Sequence, residues 1–199
     1  MEADLQDYLR TRRRTIELVE SLRQDQLDRP PAPGQWSAGE IADHLLRVER
    51  FYQGEVETLL ESARQGRGTI LSRRLADFDI RMRFLPAWMQ SLLELPMNLM
   101  NPLIPSWLRE TLMARPLIPA DAPRRAVPVR GRPRAELLNE LRQSRDRTVR
   151  LFESKADVNW RRLSHRHPLL GWNTLPELLR LLTLHEVRHL RQAARAVNH

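Results

Sequence analysis

Proline decides where this chain can be helical. Of its 14 prolines, three sit in Pro30-Pro31-Ala32-Pro33 and nine lie between Pro86 and Pro133. Each removes a backbone donor and clashes with the preceding turn. Four long stretches remain: Asp4 to about Leu27, Ser37 to about Arg64, Arg134 to about Ala156, and Thr174 onward. All four repeat apolar residues at helical intervals.

In the first stretch, Leu5, Leu9, Ile16, Val19 and Leu22 mark one continuous amphipathic helix of about six turns. The second opens on a capping box, Ser37 with Glu40, and places Trp36 outside it as a hydrophobic staple toward Ile41. Its inward stripe is Ile41, His44, Val48 and Phe51, and Gln65-Gly66-Arg67-Gly68 stops it. The third turns Leu137, Leu138, Leu141, Thr148 and Phe152 inward. The fourth begins at Thr174, with Glu177 completing a second capping box and Pro176 tolerated in the first turn. Trp160, Ser164-His165-Arg166-His167-Pro168 and Gly171-Trp172-Asn173 read as the loop before it. These features imply an all-α four-helix bundle, one domain over residues 1–199 with an irregular, Pro-rich apolar crossover at about 66–133 between the second and third helices.

Inside that crossover, short helical pieces are expected at Leu71 to Leu85 and Ser106 to Met113. Glu94 is the only charged residue between Phe84 and Leu108, yet proline breaks the run too often for a membrane span, which needs about 20 continuous apolar residues. Such a segment is expected to pack over the bundle, line a pocket mouth or meet a second subunit, so a homodimer is expected. Trp88, Trp107 and the flanking arginines leave a membrane-surface role as another option.

The last helix carries the chemistry. Leu178, Leu182, His185 and His189 follow a 4-3-4 spacing, so both histidines share the apolar stripe and adjacent turns. With 6 histidines in the chain, such a pair is weak evidence by its spacing alone. Its setting says more, because two neutral rings in a core need partners and a metal ion is one good answer. The string His185-Glu186-Val187-Arg188-His189 also spells H-E-x-x-H, the zinc protease pattern. A metzincin continuation would want Gly at Gln192 and His at Arg195, so the protease reading is set aside and the third ligand is sought upstream. His44, inward on the second helix, is that candidate. Glu186 and Asp43 lie one position off the ligand stripe, so neither is assigned as a base. Glu40 and Gln192 each sit one turn from a ligand, but Glu40 is claimed by its cap. His165 and His167 form a tempting second pair, beside Pro168, for which a structural or pocket-edge role is expected.

Composition narrows the options. With no cysteine, a metal site has to be built from His, Asp and Glu, and any thiol must come from outside the chain. Met1-Glu2-Ala3-Asp4 does not look like a signal peptide, and a cytoplasmic location is expected. The net charge of +8 is carried by arginine, since Lys155 is the only lysine. The arginines are spread along helices rather than interleaved with stacking aromatics, so nucleic acid is not the expected partner.

Three segments together resemble the DinB/YfiT-like metalloenzyme family: Trp36-Ser37-Ala38-Gly39-Glu40-Ile41-Ala42-Asp43-His44-Leu45; His167-Pro168-Leu169-Leu170-Gly171-Trp172-Asn173-Thr174-Leu175-Pro176-Glu177-Leu178-Leu179; and His185-Glu186-Val187-Arg188-His189-Leu190-Arg191-Gln192. The likeness leaves about residues 66–133 uncovered. It implies a four-helix bundle with a three-histidine site for a divalent ion, usually zinc or nickel, whose ligands fall on His44, His185 and His189 here. Some relatives are similar to thiol S-transferases that use bacillithiol or mycothiol. The leading expectation is therefore a metal-dependent transferase acting on a small molecule with a low-molecular-weight thiol. The alternatives are a non-catalytic metal-binding or structural bundle acting as an interaction protein, and a binder of nucleic acid or anionic surfaces.

Overall fold

The computed structural model describes residues 2–74, 123–153, 159–167 and 171–197, with isolated positions at 77, 105, 107, 110 and 111. Four long helices, α1 (Glu2–Ser21), α3 (Ala38–Arg64), α4 (Arg134–Glu153) and α5 (Leu175–Val197), form the bundle, and a short α2 (Gln24–Asp28) follows α1. Helix α1 packs chiefly on α4 and α5, and α3 packs on the same two, so α1 and α3 face each other across a diagonal. Single-turn 3-10 helices occupy Arg124–Ala126 and Trp160–Arg162.

The first helix is not continuous to Leu27. It ends at Ser21, Arg23 takes an extended conformation (φ −75°, ψ 165°), and α2 restarts from there. The Gln26 side chain accepts from the Arg23 backbone N–H at 2.9 Å, a local substitute for the lost helical bond. Gly39 makes the resulting corner tight: a Cβ there would lie 3.1 Å from the Leu27 carbonyl oxygen. Both expected capping boxes form. Ser37 Oγ accepts from the Glu40 N–H at 3.2 Å while Glu40 accepts from the Ser37 N–H at 2.9 Å. Glu177 likewise accepts from the Thr174 N–H at 2.8 Å. At the other end of α3, Gly66 adopts φ +66°, a left-handed stop that a side chain would strain.

The segment around His165, read as a loop, is instead a β-hairpin. Strand β2 (Ser164–His167) pairs antiparallel with β3 (Gly171–Thr174), and β1 (Ile70–Ser72) lies parallel to β2 with Leu71 opposite His165. The helical piece expected from Leu71 thus opens as a strand through Ser72, while Asp77 within it is helical; most of the rest of that piece, most of the Ser106 to Met113 piece and most of the apolar run between Phe84 and Leu108 lie outside the described residues, as does the expected end of the third helix beyond Glu153. No helix among the described residues is long and apolar enough to cross a membrane.

Two apolar clusters fill the bundle. One gathers Tyr8, Tyr52, Val56, Leu59, Phe152, Leu175 and Leu179; the other gathers Ile16, Val19, Ile41, Leu45, Leu46, Leu137, Leu141 and Ala193. Each long helix contributes to both clusters. Between them, each also contributes buried polar side chains: Arg12 and Thr15 from α1, Glu49 and Gln53 from α3, Ser144 and Thr148 from α4, and Glu186 from α5. The three histidines of interest open off this polar layer on the α3 and α5 side.

Candidate metal centre

Helix periodicity brings His44 on α3 against His185 and His189 on α5. All three rings are buried, and the candidate ligand atoms lie within 4.8 Å of one another. His44 Nδ1 donates to the Ala126 carbonyl oxygen at 2.7 Å, which leaves Nε2 facing His185 Nε2 at 3.4 Å. His189 Nδ1 donates to Gln192 Oε1 at 2.9 Å, one turn further along α5. Committing Nδ1 to a protein acceptor fixes the tautomer and offers the Nε2 lone pair to an ion. The donor set therefore fits a divalent metal: three imidazoles, two of them oriented from behind. Burial is the first cause that holds all three neutral, the state a metal ligand needs. It lowers the His44 and His185 pKa values and, with help from His44 and the Arg188 charge, puts His189 at about 3.

The last residues of the crossover build the back wall of this site. Val129 N–H donates to Asp43 Oδ2 at 2.7 Å, Arg132 reaches Asp43 Oδ1 at 2.7 Å, and Arg130 reaches Glu40 at 3.1 Å. These bonds lay residues 126–132 along α3 and place the Ala126 carbonyl at His44. Asp43 is further held by Arg47 at 2.6 Å. Burial would raise its pKa, but the Val129 N–H and the two arginines outweigh that and lower it. Trp36 covers the opposite side, with its ring centroid 4.9 Å from His44 and 6.4 Å from His189.

Glu186, the Glu of the H-E-x-x-H string, points away from the histidines. Arg12 donates to it through Nε at 2.8 Å and Nη2 at 2.9 Å, and Thr15 Oγ1 donates at 2.7 Å. Arg12 Nη1 also lies 2.9 Å from Glu49 Oε2, an ion pair without the angle of a hydrogen bond. Glu49 accepts from Tyr8, from Ser144 at 2.6 Å and from Thr148 at 2.8 Å. Burial raises the Glu186 pKa and Arg12 opposes it. A carboxylate fixed this way is a structural group and not a protease base. A narrow cleft bounded by Leu45, Leu182, Arg12, Glu49, Glu186 and His185 joins this network to the metal side.

His165 and His167 do not join the trio. They are buried on β2 beside Tyr52, whose ring centroid is 5.9 Å from His165 and 6.5 Å from His167. His165 Nε2 lies 3.1 Å from Glu55, which Arg73 grips through two bonds of 2.7 and 2.9 Å. The pair thus ties the hairpin to α3.

Four helices crossing a polar layer, with inward histidines on facing helices, define a helical-bundle protein whose buried trio can hold a metal ion. The chain belongs to the DinB superfamily, whose family model it matches over residues 7–193. No curated protein and no solved structure matches it.

Proposed function

We propose that His44, His185 and His189 hold one divalent ion, zinc or nickel, and that the protein is a metal-dependent transferase joining a small-molecule thiol to an electrophilic substrate. The observation that carries this reading is the convergence of three buried neutral imidazoles, two of them with Nδ1 already bonded to a protein acceptor. Three protein ligands leave coordination open, the layout of a catalytic rather than a structural zinc site. When bound, the ion would supply a Lewis acid that keeps a thiol as thiolate near neutral pH. The protein contains no cysteine, so that thiol is a cosubstrate.

The chain's own residues orient and enclose. The Ala126 carbonyl and Gln192 set the two imidazoles, while the half-buried Trp36 ring packs against His44 and His189. Asp43 is paired with Arg47 and Arg132, while Glu49 and Glu186 share Arg12, so all three carboxylates are engaged away from the trio. Elemental analysis of protein purified without an affinity tag tests the reading. About one zinc or nickel per chain, lost in His44→Ala and His185→Ala, is the expected result, and it justifies screening thiols against electrophiles. Protein without metal, even after incubation with zinc, removes the proposal.

One observation favours a second reading, a hydrogen-bonded, non-catalytic bundle: Arg188 Nη2 donates to His189 Nε2 at 2.7 Å, the lone pair an ion would use. Metal retention in the same experiment decides between the two.

A further inference from the structure

Arg188 has no carboxylate partner among the described residues. Elsewhere among the described residues, most buried or half-buried arginines have one: Arg12 has Glu49 and Glu186, Arg47 has Asp43, Arg73 has Glu55, and Arg132 has Asp43 and Glu140, while Arg166 lies over the Trp172 ring. Arg188 is half-buried, and its hydrogen bond goes to a neutral imidazole. Burial lowers its pKa, and no acid among the described residues opposes this. Its charge is felt by all three histidines, so the guanidinium sits at the trio itself. The acids that adjoin the candidate ligands in sequence are already engaged: Glu186 is bound by Arg12 and Thr15, and Asp43 by Arg47, Arg132 and Val129.

His189 Nε2 cannot serve an ion and Arg188 at once. With that lone pair committed to a metal, the Arg188 guanidinium must find another acceptor within a side chain's swing, beside a site already positive. A planar fork of N–H donors without a protein partner is matched by a carboxylate, which it binds through two parallel bonds. We infer that Arg188 is a specificity-determining residue that anchors a carboxylate of the bound small molecules, so that the site takes anionic thiols or anionic electrophiles. This rests on the metal reading above and names its substrate class.

Wild type, Arg188→Gln and Arg188→Lys are loaded with cobalt(II), whose visible absorption reports ligand binding, with cobalt content measured in each. They are then titrated with mercaptopropionate, with mercaptoethanol, and with acetate added after mercaptoethanol. If the carboxylate belongs to the thiol, wild type prefers mercaptopropionate to mercaptoethanol by about tenfold or more, the preference vanishes in the Gln variant, and the Lys variant keeps part of it. If it belongs to the electrophile, the two thiols bind alike and acetate binds about tenfold more weakly to the Gln variant. Ligand binding that is independent of residue 188 in both arms overturns the inference while the metal reading stands. Failure of wild type to take up cobalt removes both.

Discussion

Arg12 is among the largest side chains buried in the bundle, at 1% exposure, and it holds two carboxylates from two other helices. Removing one partner of a buried ion network leaves the rest charged and unsolvated, so Arg12→Leu is expected to cost about 3–5 kcal/mol. Urea unfolding at pH 7 measures this, and a loss under about 1 kcal/mol would mean that water already reaches the network. Gln192 acts on a different quantity. It accepts from His189 Nδ1, so Gln192→Ala should leave the melting temperature nearly unchanged and weaken zinc binding by about 10- to 100-fold. Competition with a chromophoric chelator reads that affinity. The trio was legible in the sequence because inward histidines interrupt an apolar stripe. The polar layer was legible only as a gap: between Leu9 and Ile16 the stripe of α1 needs an inward residue, and it is Arg12. The Ala126 carbonyl left no trace in the sequence pattern, since a backbone acceptor carries no residue type and is delivered by a segment 82 positions from His44.

At the scale of elements, local chemistry was readable and non-local pairing was not. Both capping boxes are encoded within four residues and both form. Ser37→Ala removes the acceptor for the Glu40 N–H and should destabilise the protein by about 1 kcal/mol, seen as a lower denaturation midpoint with unchanged slope. Because that box starts the helix that bears His44, the variant should also weaken metal binding; unchanged affinity would show that Asp43 and Arg132 fix this end of α3 without the cap. The hairpin escaped the sequence reading because strands of four residues are too short for alternation to stand out against Pro168 and Gly171. In β1, Leu71 sits opposite His165, a partner no local window can include. The break between α1 and α2 was hidden for another reason: Leu22 and Leu27 are buried on either side of it, so the apolar pattern continues while the backbone does not.

For the whole molecule, the burial of neutral histidines sets how stability depends on pH. Burial, assisted by repulsion from His165, places His167 at about 3, against Glu55, whose charge acts the other way. The unfolded chain has an ordinary histidine value near 6.5, so below that pH the unfolded state binds a proton that the folded state refuses. Stability from this group is therefore complete above about pH 6.5 and is lost as pH falls toward 3, at up to about 1.4 kcal/mol per pH unit. At pH 5 the loss from His167 alone is about 2 kcal/mol. His185 and His189 shift in the same direction, so a direct comparison is needed to isolate one ring. His167→Phe keeps a flat ring beside Tyr52 and cannot titrate, and the two proteins share every other histidine. Urea unfolding at pH 7, 6 and 5 should show the variant losing less stability on acidification than wild type, with a gap that widens below pH 6.5. Parallel lines across that range would mean that His167 takes up its proton at the same pH in the folded and unfolded chains, with Glu55 offsetting the burial.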